Sequence, residues 1–153
     1  MTKQANSLSC FVCGLENPVG LHINFYETGP GEVSADFTPA EHYQGYPGVL
    51  HGGIAATILD EAAGRAHMGI FPPRFMFTAK IEVKYRKNIP VGKPLKIIGR
   101  AGKDRGRIAE GWSGIYNQAG ELLAAASALL VDVPNPPNPA ELEGTGWKVY
   151  PDE

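Results

Sequence analysis

The segment GVLHGGIAATILDEAAGRAHMG, residues 48–69, constrains the fold more than any other part of the chain. Apolar and small residues recur in it at helical spacing, and this spacing predicts one helix from Gly52 to about Met68. The apolar arc predicted for this helix consists of Ile54, Ala55, Ile58, Leu59, Ala62, Ala63 and Ala66. Because a helix with so broad an arc must be covered, we expect the rest of the chain to pack around it.

Two neighbouring carboxylates on this helix have different surroundings, because successive residues are turned by about 100°. Glu61 has Arg65 four residues later, a pair that stabilises an exposed helix by only ~0.3–0.5 kcal/mol. Asp60 lies at the border of the apolar arc and has no helical partner. Such an aspartate must find donors elsewhere or carry a raised pKa, and groups of this kind are enriched at functional sites. The pattern therefore favours Asp60 over Glu61 as a functional residue.

The triplet His51-Gly52-Gly53 stands at the predicted start of the helix. Glycines there leave backbone N–H groups uncovered, and the helix dipole adds partial positive charge. Such a site binds an anion or an oxyanion. The other interpretation is that the glycines only permit a tight turn from loop to helix, with His51 as a cap or loop anchor rather than a catalyst.

Alternating apolar and polar residues predict strands on both sides of the helix. In the clearest one, Ile81, Val83 and Tyr85 are expected to face the core. The last strand is almost wholly apolar, which is typical of a strand buried on both faces. Short glycine-containing segments at 29–32 and 102–106 are interpreted as hairpin turns rather than phosphate loops. The predicted strands span residues 21–28, 33–38, 78–87, 94–106, 108–117 and 122–133.

This order of elements predicts an α+β fold, an antiparallel sheet wrapped around a long central helix. We expect one domain over residues 1–133 and a proline-rich tail over residues 134–153. The tail is an extended arm or a disordered end. Trp147 and Tyr150 indicate that its tip packs on something, and a docked tail and a loose tail both stay open. Open edge strands in such a sheet favour pairing with a second copy of the chain.

Composition excludes several classes of protein. The 153 residues carry a formal net charge of −2, which offers no footprint for nucleic acid. No run reaches the ~18 apolar residues of a membrane span, and the polar N-terminus lacks a signal-peptide core. We therefore expect a cytoplasmic protein with neither nucleic acid nor membrane as a partner.

Two sets of residues leave alternatives open. Cys10 and Cys13 form one C-x-x-C, for which three interpretations stay open. The cysteines are packed or free thiols, a redox pair, or half of a metal site. His22, His42 or a second subunit would complete such a metal site. The basic residues of the later strands form a solvated sheet face, or part of them meets the phosphates of a ligand such as coenzyme A. These are Lys80, Lys84, Arg86, Lys87, Lys93, Lys96, Arg100, Lys103, Arg105 and Arg107.

Three stretches together resemble a known family. CFVCGLENPVGLHINF, QGYPGVLHGGIAATILDEA and a T-x-x-I-x-V-x-Y strand are similar to the PaaI-like acyl-CoA thioesterases of the hotdog-fold superfamily, over nearly the whole chain except the tail. The spacing from HGG to the aspartate is the most specific part of the likeness. No nucleophile elbow, Walker loop, HExxH or dinucleotide-binding turn competes with it.

The resemblance implies roles for individual residues. The backbone N–H of Gly52 would polarise the thioester carbonyl, Asp60 would act as base or nucleophile, and Thr78 would orient the attacking water. His51 would shape the turn, and no metal or cofactor would take part, since coenzyme A belongs to the substrate. Several members carry Asn or Gln six residues before the histidine, where this chain has Gly45.

A length argument adds a prediction that is independent of the family. Asp60 follows Gly52 by eight positions, so the two lie ~12 Å apart on one helix and cannot touch the same carbonyl. A base and an oxyanion donor must each approach the reacting centre to ~3 Å. If the site exists, it therefore joins two subunits with antiparallel helices, in a homodimer or homotetramer.

Two other functions fit the same pattern. A hotdog-type hydratase or dehydratase would need His51 or His67 paired with a carboxylate across the site. A non-catalytic module would bind acyl-CoA without releasing thiol. We expect the thioesterase.

Overall fold

The computed structural model describes the whole chain, residues 1–153. One long helix stands between two groups of strands, as the sequence predicts, and neither α-helix is both long and apolar enough to cross a membrane. The elements are β1 (Thr2–Lys3), β2 (Tyr26–Gly29), β3 (Glu32–Phe37), a 3-10 turn (Glu41–Tyr43), α1 (Gly52–Met68), β4 (Met76–Tyr85), β5 (Leu95–Asp104), β6 (Ile108–Tyr116), β7 (Leu122–Asp132) and α2 (Pro139–Gly144).

All strands belong to one antiparallel sheet of seven strands in the order β1-β2-β3-β5-β6-β7-β4. The turn at residues 29–32 joins β2 to β3, and residues 102–106 lie at the β5–β6 hairpin, as expected. After α1 the chain crosses the sheet, so that β4 pairs with β7 and forms the far edge. The predicted α+β architecture is confirmed.

α1 lies against the sheet with almost no space between the two. A Cβ added at Gly99 of β5 would stand 2.1 Å from the carbonyl oxygen of Ala62, and one at Gly111 of β6 would stand 2.8 Å from that of Ala63. The Ser113 hydroxyl of β6 donates a hydrogen bond of 2.6 Å to the carbonyl of Leu59. Glycine at two strand positions thus lets the helix backbone touch the sheet, which fixes the position of every side chain on α1.

Three details of the strands differ from the sequence prediction. The first long strand begins at Tyr26 rather than residue 21, because residues 21–23 bond instead to the N-terminal turn at Phe11 and Val12. The prediction that β7 is buried on both faces is wrong, since Ser127 on its outer face is exposed. Tyr85 was expected to face the core but is 55% exposed, because β4 is an edge strand.

The tail packs on the domain. Leu142 of α2 is buried, the Trp147 ring meets that of Phe75 edge to face at 5.0 Å, and Asp152 accepts hydrogen bonds from Lys3 and Tyr26. Of the two alternatives for the tail, the structure has the docked one. The division into a domain over residues 1–133 and a tail over residues 134–153 stays a prediction.

The close approach of helix and sheet makes a stability prediction. Gly99→Ala places a methyl group against a backbone carbonyl that cannot rotate away, and such overpacking costs about 1–3 kcal/mol or more. We expect chemical denaturation to show a loss in the free energy of unfolding of at least ~2 kcal/mol.

Gly29→Ala is the matched control, because a Cβ at Gly29, also in a strand, meets no atom within 4 Å. An equal loss in both variants would mean that strand glycines matter for another reason than contact with α1.

Candidate functional site

Two clefts flank α1, and each holds part of the predicted site. The larger, about 570 Å³, lies at the start of the helix and is lined by His51, Gly52 and Tyr85 among others. The smaller, about 210 Å³, lies near its middle and is lined by Asp60 and Thr78 among others. Within one subunit the predicted site residues therefore form two separate pairs.

At the start of α1, His51 is the residue that caps the helix. Its Nδ1 accepts a hydrogen bond of 2.9 Å from the backbone N–H of Gly53, which satisfies one of the free donors of the first turn. The N–H of Gly52 has no acceptor within the chain, and Gly52 is exposed. An uncovered N–H at the positive end of a helix is a donor available to an oxyanion.

The hydroxyl of Tyr85 fixes this end of the helix from the neighbouring edge strand. It donates a hydrogen bond of 2.6 Å to the carbonyl oxygen of Gly52. The bond fixes the Gly52–Gly53 peptide and leaves the N–H of Gly52, which belongs to the preceding peptide, unused. Sequence reasoning missed this contact because the alternation in β4 suggests a core position for Tyr85, and only the position of β4 at the sheet edge reverses that.

Asp60 and Thr78 are in direct contact. Thr78 Oγ1 donates a hydrogen bond of 2.6 Å to Asp60 Oδ1, joining the middle of α1 to β4. Of the two alternatives that the sequence leaves open for Asp60, the structure shows a donor outside its own helix, Thr78. The other carboxylate oxygen, Oδ2, accepts no hydrogen bond within the subunit and is available for chemistry.

Gly45, which stands where several members of the family carry Asn or Gln, lies in the loop before α1. A Cβ at Gly45 would stand 3.3 Å from the Cα of His51, so the loop folds closely over the start of the helix. The adjacent Gln44 turns its side chain into the loop, where Oε1 accepts from the N–H of Gly48 at 2.9 Å. Gln44 therefore orders the loop and does not touch Asp60.

Glu61 and Arg65 form an ion pair, but the prediction that it is an exposed surface pair is wrong. The Arg65 side chain is 1% exposed, and its Nε donates to Glu61 Oε1 at 3.0 Å. Its Nη1 donates to the carbonyl of Ala5 at 2.7 Å, and the guanidinium lies 5.0 Å from the centre of the Phe25 ring. The N-terminal segment covers this flank of α1, which helical spacing alone does not reveal.

The two thiols lie beside this pair, in the turn-rich segment that the sequence predicted. Both are free, Cys10 half-buried and Cys13 buried. The hydrogen bond from the Cys13 thiol lowers the pKa of Cys10 to about 6. The same contact, together with burial, raises the pKa of Cys13.

Two of the ten basic residues reach the larger cleft, namely Arg86 and Lys87. Lys87 forms an ion pair with Glu121, whereas Arg86 has no carboxylate partner. Most of the others lie on exposed strands and turns, and several pair with neighbouring carboxylates, such as Lys96 with Asp36. Most of the ten basic residues thus belong to a solvated sheet face. Arg86 differs from them because it lines a cleft and has no carboxylate partner.

Comparison with known proteins identifies the family. A model described as Thioesterase superfamily matches residues 47–124, about half of the chain, and this stretch includes His51, Gly52, Asp60 and Thr78. The chain belongs to the Thioesterase superfamily. The predicted likeness to hotdog-fold acyl-CoA thioesterases is confirmed, while the PaaI-like subgroup stays a prediction.

Two curated proteins that are similar to this chain share one name. The chain is 31% identical over 106 residues to Acyl-coenzyme A thioesterase THEM4 of Rattus norvegicus, covering 69% of this chain and 45% of that protein. It is 30% identical over 83 residues to the Xenopus laevis protein of the same name, covering 54% of this chain and 36% of that one. The chain thus spans less than half the length of these relatives.

Solved structures agree with the fold. The thioesterase superfamily protein RHA08564 superposes with a TM-score of 0.73 at 27% identity, covering 80% of this chain and 62% of that one. The protein smu.793 of Streptococcus mutans, solved bound to acetyl CoA, has a TM-score of 0.67 at 21% identity, covering 78% of this chain and 94% of that one. At the latter identity the likeness shows the fold alone.

The buried ion pair makes a second stability prediction. Glu61→Ala leaves the guanidinium of Arg65 buried without its carboxylate, and breaking a buried pair in this way costs about 3–5 kcal/mol. The exposed pair suggested by the sequence would cost only ~0.3–0.5 kcal/mol. Urea denaturation separates the two values.

Glu82→Ala is the control, an exposed carboxylate on β4 without an ion-pair partner, and we expect it to stay within ~0.5 kcal/mol of the wild type. A loss below ~1 kcal/mol in Glu61→Ala would contradict the buried geometry.

Proposed function

We propose that this protein hydrolyses acyl-CoA thioesters to a free acid and coenzyme A. Its membership of the Thioesterase superfamily and its similarity to relatives named acyl-coenzyme A thioesterase support the reaction and the substrate class. The observation that carries the proposal is the geometry of α1. Its first N–H is free, and its aspartate is held by Thr78 at 2.6 Å with one oxygen unengaged.

The N–H of Gly52 stabilises the oxyanion. Attack on a thioester carbonyl moves negative charge onto the oxygen, and a fixed N–H at a helix start meets that charge without reorganisation. Tyr85 holds the adjoining peptide through the carbonyl of Gly52. His51 serves the site indirectly, by capping the helix and turning the chain.

Asp60 supplies the carboxylate for the attack. As a base, it takes a proton from water while the water oxygen bonds to the carbonyl carbon, and the coenzyme A thiolate then leaves and is protonated. As a nucleophile, it bonds to the carbonyl carbon and displaces the coenzyme A thiolate, which is protonated, and water then hydrolyses the mixed anhydride to the free acid and the Asp60 carboxylate. Thr78 fixes the orientation of Asp60 in either case, and its predicted role in orienting the attacking water stays a prediction. Neither route uses a metal or a cofactor.

The complete site requires two subunits. Because Gly52 and Asp60 of one helix are ~12 Å apart, the donor that faces Asp60 comes from Gly52 of the partner subunit. The outer stripe of α1 favours such contact, because Ala56 and Gly64 beside Asp60 are small and only half-buried. We propose antiparallel α1 helices in a homodimer, or in a homotetramer built from such dimers.

Coenzyme A enters past Arg86. Arg86 lines the cleft at the start of α1 and has no carboxylate partner, and an arginine forms strong charge-assisted hydrogen bonds with phosphate. The acyl chain then extends toward the subunit interface. A cytoplasmic location and the absence of nucleic-acid and membrane partners stay predictions.

The hydratase alternative has less support. It needs a histidine paired with a carboxylate, but His51 Nδ1 accepts from a backbone N–H and His67 Nε2 is bonded to the carbonyl of Glu110 at 2.7 Å. Within one chain, neither histidine hydrogen-bonds to a carboxylate. A non-catalytic binding module differs from a thioesterase in that it binds acyl-CoA without releasing thiol.

Asp60→Asn tests the carboxylate. We expect thiol release from at least one of a set of short, long and aromatic acyl-CoAs, and a fall in kcat of about 10²–10⁴-fold in the variant, because the amide neither takes a proton nor attacks. A thiol-reactive dye follows the reaction. Asp36→Asn, an exposed carboxylate of β3 in a surface pair with Lys96, is the control and should keep wild-type turnover.

Tight binding of acyl-CoA by the wild type without any thiol release would favour the binding module instead. Full turnover in Asp60→Asn would contradict the role of the carboxylate.

Gly52→Pro tests the oxyanion donor, because proline removes the N–H and little else. Proline is favoured at the first position of a helix, and His51 has φ −57° and ψ 132°, which a following proline accepts. We expect kcat to fall by about 10²–10³-fold, as for other oxyanion-hole donors.

Gly52→Ala is the matched control. It keeps the N–H, and its Cβ would meet Tyr85 at an ordinary 3.6 Å, so its kcat should stay within ~3-fold of the wild type. Equal loss in both variants would show that bulk, not the missing N–H, disturbs the site.

A further inference from the structure

The proposed hydrolysis leaves one cluster of side chains unused. The two thiols of the N-terminal turn, Cys10 and Cys13, meet Glu61 of α1. One sulfur from each cysteine and one carboxylate oxygen all lie within 4.8 Å of one another. Cys13 is buried, while Cys10 and Glu61 are half-buried. Residues 51 positions apart in the sequence thus bring three metal-binding atoms together.

We propose that Cys10, Cys13 and Glu61 form a zinc site that joins the N-terminal segment to α1. Around a tetrahedral Zn²⁺, with bonds of about 2.3 Å to sulfur and about 2.0–2.2 Å to oxygen, ligand atoms lie roughly 3.5–3.8 Å apart. Because the three atoms lie within 4.8 Å of one another, a contraction of at most ~1.3 Å per pair reaches this geometry. Two soft thiolates also select zinc over magnesium or calcium.

The surroundings of the cluster fit ligands to a metal. The N–H of Val12 donates to Cys10 Sγ at 3.4 Å, and Ser7 Oγ lies 3.7 Å from Cys13 Sγ. Arg65 Nε donates to Glu61 Oε1 and so fixes the orientation of the carboxylate. Partners of this kind, which hold the ligands from behind, are typical of protein metal sites.

Charge favours a divalent cation. Arg65 is 1% exposed and its Nη2 has no hydrogen-bond acceptor, so its positive charge is offset by Glu61 alone. When both thiols lose their protons, two negative charges are added beside it, and Zn²⁺ cancels them. The metal, the guanidinium, the carboxylate and the two thiolates then form a neutral group, which burial does not penalise as it would a net charge.

The fourth position of the proposed site is open to water. Cys10 and Glu61 both line the 210 Å³ cleft that contains Asp60. His22 and His42, which the sequence offered as further ligands, lie outside the cluster. His22 Nε2 is hydrogen-bonded to the carbonyl of Asn17, and the His42 ring packs at a tilt of 49° against that of Tyr43. The site departs from the expectation of no metal, but it stands outside the proposed reaction.

Metal binding by the full-length protein tests the inference without reference to activity. Protein stripped with chelator under reducing conditions is dialysed against zinc and its bound metal measured. We expect one zinc per chain, and with cobalt(II) a sulfur-to-metal charge-transfer band. Cys10→Ser should lose both, and Glu61→Gln, which keeps an acceptor for Arg65, should bind at least ~10-fold more weakly.

Glu16→Gln is the matched control, a carboxylate of the same N-terminal segment that is outside the cluster. It should bind zinc as the wild type does. Zinc should also raise the thermal midpoint of the wild type but not that of Cys10→Ser, because a ligand that binds only the folded state stabilises it.

Three results would overturn the proposal. They are no stoichiometric zinc in the folded, reduced wild type, equal zinc in Cys10→Ser, and rapid formation of a disulfide between the two cysteines with no zinc bound. The last would assign the cluster to redox chemistry.

Discussion

The close approach of α1 to the sheet is the constraint on which the rest of the molecule depends. Two strand glycines, Gly99 and Gly111, leave space that the carbonyls of Ala62 and Ala63 fill. Because the backbones of helix and sheet are in direct contact, no gap remains in which α1 can shift or turn. The helix therefore has one position and one rotation on the sheet. The rotation buries Ile58 and Leu59. It leaves the stripe that carries Asp60 half-exposed, and both halves of the proposed site follow from that.

The flanks of the helix are used differently. On one side, Thr78 and Tyr85 of β4 donate hydrogen bonds to Asp60 and to the carbonyl of Gly52. A single edge strand therefore positions both residues of the proposed site. On the other side the N-terminal segment covers Arg65, whose charge is met by Glu61. The adjacent carboxylates therefore serve separate purposes. Asp60 is the carboxylate of the proposed reaction, and Glu61 pairs with Arg65, which donates to the N-terminal segment.

Much of this was predictable from the sequence, because it depends on local periodicity. Helical spacing placed α1 at Gly52–Met68 and separated Asp60 from Glu61, and the HGG triplet indicated the free N–H at the helix start. The contacts that could not be predicted join residues distant in the chain. Neither the burial of Arg65 by the N-terminal segment nor the exposure of Tyr85 at the sheet edge follows from spacing, since each depends on which strands become neighbours.

Sharing of each active site between two subunits is the central claim, and mixing two inactive variants tests it most directly. Asp60→Asn and Gly52→Pro each disable both sites of a homodimer. A mixed dimer regains one intact site, which pairs Asp60 from one subunit with the Gly52 N–H of the other. After co-refolding equal amounts, we expect about one quarter of wild-type thiol release, against ~1% or less for either variant alone. Activity no higher than the mean of the two variants would contradict the shared site.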